Sequence, residues 1–170
     1  MRTKWLALLA LALSATGVHA QHPPTPVTYF AGPSGRSAIP LQRSVDHKLY
    51  LTVVVNGKPL NLFVDTGATT VLDVNVVRQL GLPLTDTEDE AFGISGVGGR
   101  RQLAFVDLVL GRIVITNHQV SVVDLSALRD LHAAHDLPVF DGLIGAELLA
   151  VLRARIDYDR LVLEVRRPDR

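Results

Sequence analysis

Phe63-Val64-Asp65-Thr66-Gly67-Ala68-Thr69-Thr70 is the stretch on which the reading of this chain turns. An apolar, strand-like run delivers a carboxylate directly into a turn of hydroxyls and glycine. That arrangement holds an acid at the floor of a cleft instead of on a mobile tip. Far downstream stands Asp141-Gly142-Leu143-Ile144-Gly145, a second short apolar run closed by glycine.

Working outward, the residues on either side read as short strands and tight turns. Lys48 to Val55 is rich in β-branched and apolar residues, and Asn56-Gly57 is a strong two-residue hairpin signal. The return strand, Pro59 to Val64, leads into Asp65. Asp73 then precedes Val74 to Leu80, with Gly81 beyond, so an N-cap and a C-terminal glycine frame a short helix. Thr85 to Glu90 reads as a loop or exposed strand end. Gln102 to Leu110 reads as a strand, Gly111 as a turn, and Ile113 to Ile115 and Gln119 to Val123 as two further strands. Leu125, Leu128 and Leu131 have helical spacing within Leu125 to His135. Val139 to Ile144 is extended, Ala146 to Leu152 a short helix, and Arg155 to Tyr158 pairs with Leu161 to Val165 as a closing hairpin. The sum is a mainly β, closed barrel with one or two short helices.

The N-terminal region is set apart from this barrel. Arg2 and Lys4 precede the apolar stretch Trp5 to Leu13, and Val18-His19-Ala20 suits a cleavage site, so residues 1–20 read as a secretory signal peptide. The stretch is shorter than the roughly 20 residues of a membrane-spanning helix, which leaves an uncleaved anchor as the weaker alternative. The chain has no cysteine, so neither a lipid-modified thiol nor a disulfide is possible. Export without disulfides is compatible with a bacterial periplasm. Residues 21–42 carry Pro23, Pro24, Pro26, Pro33 and Pro40 with interspersed glycine and serine, a composition expected of a linker or a removable pro-segment. The folded domain is expected over residues 43–167. With 48% hydrophobic residues, a chain of 170 is long enough for one real core. Loss of Arg2 and Lys4 leaves 15 basic against 17 acidic residues, a net charge of −2. There is no basic stripe, which argues against a nucleic-acid partner.

The two glycine-ended segments together resemble the retropepsin-like aspartic proteases, in particular the bacterial single-domain, pepsin-half type. The resemblance spans Val45 to Val165. It implies a retropepsin-like barrel, an aspartic-type endopeptidase needing no cofactor and no metal, and a peptide or protein substrate. It also implies that Asp65 is the catalytic acid. Thr66 would direct its hydroxyl to a partner turn, Gly67 would permit close backbone approach, Ala68 would keep the rim small, and Thr69 would hydrogen-bond within the turn. Asp141, Gly142, Leu143, Ile144 and Gly145 would brace that turn from behind. Gly96, Val97, Gly98 and Gly99 stand where the family carries its flap, although a plain flexible loop fits the same glycines. Retroviral members follow the last glycine with arginine and then asparagine or aspartate. Here Ala146 and Glu147 follow, so the retroviral pattern of brace and dimer contacts is not carried over.

Peptide hydrolysis by carboxylates takes two of them around one water, one ionised and one protonated. This chain has a single Asp-Thr-Gly turn, so the second acid is expected from Asp65 of a second copy across a two-fold axis. Asp141 is the only rival within the chain, and the resemblance assigns it to the brace. A non-catalytic periplasmic module that binds peptide on the same barrel is the alternative.

Other signals carry less. His132 and His135 stand three apart on the expected helix, but no motif supplies a third metal ligand, so the pair is expected to face solvent. Gly93-Ile94-Ser95-Gly96-Val97 misses the hydrolase elbow, because Val97 stands where a glycine is required. The same glycines fail the dinucleotide-binding spacing and lack a surrounding βαβ unit.

Overall fold

The computed structural model describes residues 28–30, 32–91 and 99–168. Twelve strands and three short helices follow one another along these segments. The strands are β1 (Thr28–Phe30), β2 (Arg36–Pro40), β3 (Gln42–Arg43), β4 (Leu49–Val55), β5 (Lys58–Val64), β6 (Val71–Asp73), β7 (Thr85–Ala91), β8 (Gly99–Leu110), β9 (Ile113–Val123), β10 (Gly142–Ile144), β11 (Arg155–Asp157) and β12 (Val162–Arg166). The helices are α1 (Val74–Gln79), α2 (Ser126–Ala134) and α3 (Ala146–Val151). None of them is long and apolar enough to cross a membrane.

The large sheet closes on itself. Its order β9-β6-β10-β5-β4-β8 returns from β8 to β9, so six strands form a barrel. Burial alternates along β4, where Leu49, Leu51, Val53 and Val55 point inward, as a strand period of two requires. They meet Leu62, Leu72, Leu108, Leu110, Ile113 and Ile115 in one continuous core. The β4–β5 turn has Asn56 at φ 48° and Gly57 at φ 82°, the left-handed pair of a tight hairpin. At α1, Asp73 Oδ1 accepts from the N–H groups of Asn75 and Val76, so the expected N-cap forms.

Three differences from the sequence expectations stand out. The packed structure begins before Arg43: β2 pairs along its length with β12, from Arg36↔Arg166 to Pro40↔Val162, and Ile39 and Leu41 enter the core. Proline is tolerated there because Pro40 ends the strand. Thr85–Ala91 is a full strand on β8, and β9 is continuous from Ile113 to Val123 instead of broken in two. Asn117 at φ 52° absorbs the register shift on β9 as a bulge while pairing continues on both sides. Finally, three short helices form, not one or two.

Candidate active site

Asp65 leaves the end of β5, and its placement follows from the strand beside it. β10 runs parallel to β5, with Ile144 opposite Val64, and antiparallel to β6, with Leu143 opposite Val71. The Asp65 N–H donates to Ile144 O at 3.0 Å. The Gly67 N–H donates to Asp65 Oδ1 at 2.8 Å, so the turn itself holds the carboxylate. The side chain is partly exposed. It opens, with Thr66, on a cavity of about 470 Å³.

The downstream glycines act as a backbone clamp. A Cβ on Gly145 would lie 2.2 Å from Thr69 C, 2.3 Å from Thr70 N and 2.6 Å from Ala68 O. A Cβ on Gly142 would lie 2.1 Å from Val71 O. Only hydrogen fits at either place. The clamp is closed by polar contacts: the Ala146 N–H donates to Ala68 O at 2.7 Å, and the Gly145 N–H to Thr70 Oγ1 at 3.1 Å. The hydroxyl that is engaged is thus that of Thr70, which bonds across to the clamp and not within the turn; Thr69 is exposed, whereas Thr70 is buried. Glu147, which stands where retroviral chains differ, takes part through Oε1, which accepts the Thr70 N–H at 2.8 Å.

Asp141 is spent on this brace. Its Oδ2 accepts the Asn61 N–H at 2.9 Å, its own N–H donates to Asn61 O at 2.8 Å, and its carbonyl accepts the Asp73 N–H at 2.9 Å. Its carboxylate thus binds the β5 backbone and does not line the cavity that Asp65 faces. Behind it lies an ion pair that sequence reading missed. Asp73 is fully buried, and Arg129 Nη1 on α2 donates to its Oδ1 at 3.2 Å. The other guanidinium nitrogen lies 3.9 Å from Asp141, so one arginine ties α2 to both acids. The N-cap role of Asp73 was legible, but its charge partner is 56 residues away and no local pattern announces it.

The two helix histidines part company. His135 is exposed as expected, but His132 is buried at 3% exposure against Phe63 and Phe140. Their ring centroids lie 5.6 and 5.0 Å from that of His132. The correction follows from the helix period: Leu125, Arg129 and His132 share one face, whereas Leu131 turns out to 53% exposure. His118 on β9 is also buried, with no partner for Nε2 among the described residues. Burial pushes its pKa below the usual histidine value, and the charge of Glu147 opposes that shift. The flap residues Gly96, Val97 and Gly98 lie outside the described residues, and Gly99 opens β8.

The chain is similar to known proteins in sequence and in fold. The model of the family described as aspartyl protease matches residues 51–148, which include both the Asp65 turn and its clamp. Among solved structures, a retropepsin-like aspartic protease from Rickettsia conorii aligns with a TM-score of 0.52 at 20% identity, covering 84% of this chain and 95% of that one. The retroviral protease-like domain of Ddi1 from Leishmania major gives a TM-score of 0.46 at 19% identity, covering 69% and 87%. EIAV protease complexed with the inhibitor HBY-793 gives 0.41 at 26% identity, covering 66% and 95%. No curated protein matches the chain by sequence.

Proposed function

Because the chain belongs to the aspartyl protease family, we propose that it is an exported endopeptidase whose working unit is a homodimer. The observation that carries this reading is a single Asp-Thr-Gly turn, rigidly clamped from behind, with Asp65 and Thr66 left open at the front. One carboxylate cannot both take a proton from water and polarise the scissile carbonyl. Two copies of Asp65 facing each other across a two-fold axis supply both roles.

The electrostatics of such a pair enforce the division of labour. Like charges ~3 Å apart at an effective dielectric of ~20 repel by about 5 kcal/mol, a magnitude general to such dyads. A repulsion of that size disfavours ionising both carboxylates at once, so one works ionised and the other protonated. The ionised member removes a proton from the water as it attacks the carbonyl carbon. The protonated member donates its hydrogen bond to the carbonyl oxygen, and the proton then reaches the leaving nitrogen. The exposed hydroxyl of Thr66 lies beside Asp65 and serves to lock one turn to its partner.

Export rests on the charged and apolar pattern of residues 1–20. The test of catalysis is Asp65→Asn, whose amide oxygen can still accept the Gly67 N–H and so preserve the turn. Cleavage of peptides at acid pH should vanish in this variant while folding and association persist. Peptide binding without turnover by the unaltered protein would instead support a binding module.

A further inference from the structure

The buried ring of His132 has no part in the hydrolysis above, yet it lines the same cavity as Asp65. Its Nδ1 lies 3.0 Å from Pro138 O. A carbonyl only accepts, so Nδ1 carries a proton and the ring is fixed in orientation. Among the described residues nothing pairs with Nε2. The ring packs against Phe63 and Phe140, which line the same cavity and whose centroids are 4.5 Å apart.

We propose, on the basis of the protease reading, that His132 Nε2 determines specificity by receiving the hydroxyl of a substrate tyrosine beside the scissile bond. Position supports this: Phe63 stands two residues before Asp65, about 7 Å along an extended strand, and both line the cavity. A side chain flanking the scissile bond of an extended peptide therefore reaches the aromatic walls. Those walls suit a flat ring through edge-to-face contact. A phenol donates to Nε2 of a neutral imidazole and accepts from Nε2–H of an imidazolium, so it satisfies the nitrogen in either state. An indole N–H can only donate, and phenylalanine leaves the nitrogen unpaired against apolar walls. An acidic side chain is not selected, because Lys48, 5.9 Å from the Phe63 ring centroid, is already paired with Asp46 at 2.5 Å.

The experiment compares full-length protein on two peptides that differ only in tyrosine or phenylalanine beside the cut. One hydrogen bond in this setting predicts a kcat/KM ratio of roughly tenfold for tyrosine. In His132→Phe the ratio should fall to about one, since the acceptor is gone while the apolar walls remain. An unchanged ratio in the variant, or none in the parent, overturns the proposal. Because that variant can fail to fold, a second measurement uses the parent ring. In ¹⁵N-histidine-labelled Asp65→Asn protein, N-acetyltyrosinamide should shift the His132 Nε2 resonance and N-acetylphenylalaninamide should not. Equal responses, or none, overturn the proposal. A tyrosinamide response, together with no peptide cleavage by the unaltered protein, would defeat the protease reading and leave this site standing. Cleavage without tyrosine preference would do the reverse.

Discussion

Replacing Gly145 with alanine tests the clamp behind Asp65 most severely. The new Cβ would sit 2.2 Å from Thr69 C, and ordinary contact begins near 3.4 Å, so the backbones must separate by about 1.2 Å. Every close atom is backbone (Thr69 C, Thr70 N and Ala68 O), so no side chain can swing aside. That displacement breaks three hydrogen bonds: Gly145 N–H to Thr70 Oγ1, Ala146 N–H to Ala68 O, and Thr70 N–H to Glu147 Oε1. At about 1 kcal/mol each, with about 1–3 kcal/mol for overpacking, the loss is about 4–6 kcal/mol. Small domains hold only about 5–15 kcal/mol in total, so the variant stands near its unfolding threshold. Any folded fraction carries a turn displaced by roughly 1 Å, which costs on the order of 10²-fold in turnover. Urea titration measures the first effect and peptide cleavage by the folded fraction the second. If Gly145→Ala unfolds within ~1 kcal/mol of the parent and cuts peptides at the same rate, the clamp does not position Asp65.

Gly67→Ala is the informative contrast: within one chain its Cβ meets only Asp65 Oδ1, at 3.4 Å, so thermal stability of the monomer fold should hardly change. Activity and dimer formation, read by cleavage and sedimentation, should nevertheless fall if a second turn packs against it; full activity would argue against that contact. Arg129→Met removes the partner of fully buried Asp73, yet three backbone N–H groups still hold that carboxylate and Arg129 is 28% exposed. Urea denaturation should therefore show a loss of about 2 kcal/mol, below the range for a pair with no other donors. Folded His118 binds its proton less readily than the ordinary value of 6.5, so below that pH the unfolded chain takes up more protons. Stability is complete above this pH and is lost as the pH falls towards the folded value. His118→Leu should flatten that segment of the Tm-versus-pH curve, and an unchanged slope would assign it to other groups.

What was legible in the sequence was local or repeated a strong signal. Asn56-Gly57 dictated its hairpin because both left-handed φ values suit these residues. Asp73 announced a cap, and the C-terminal hairpin of β11 and β12 needed only neighbouring residues. The Asp65 turn and the Gly145 segment were readable together through the family resemblance, and the structure supplies the physical reason: only glycine allows their backbones to touch. The failures are non-local. β2 hid in a proline- and glycine-rich stretch because its partner, β12, arrives near the other end of the chain. Leucine spacing in α2 suggested an apolar face through Leu131, but the barrel instead receives Arg129, for its charge, and His132, for its ring. Thr69 and Thr70 are equivalent in sequence, and only the approach of Gly145 and Glu147 distinguishes the one that is buried.

The shared catalytic pair is tested most directly by co-folding equal amounts of parent and Asp65→Asn chains and measuring total cleavage against an all-parent sample of equal concentration. Random pairing with a site built from both copies leaves about a quarter of the activity, because only parent–parent dimers carry two carboxylates. Retention of about half would mean that each chain cuts with its own Asp65 alone, and would contradict the account.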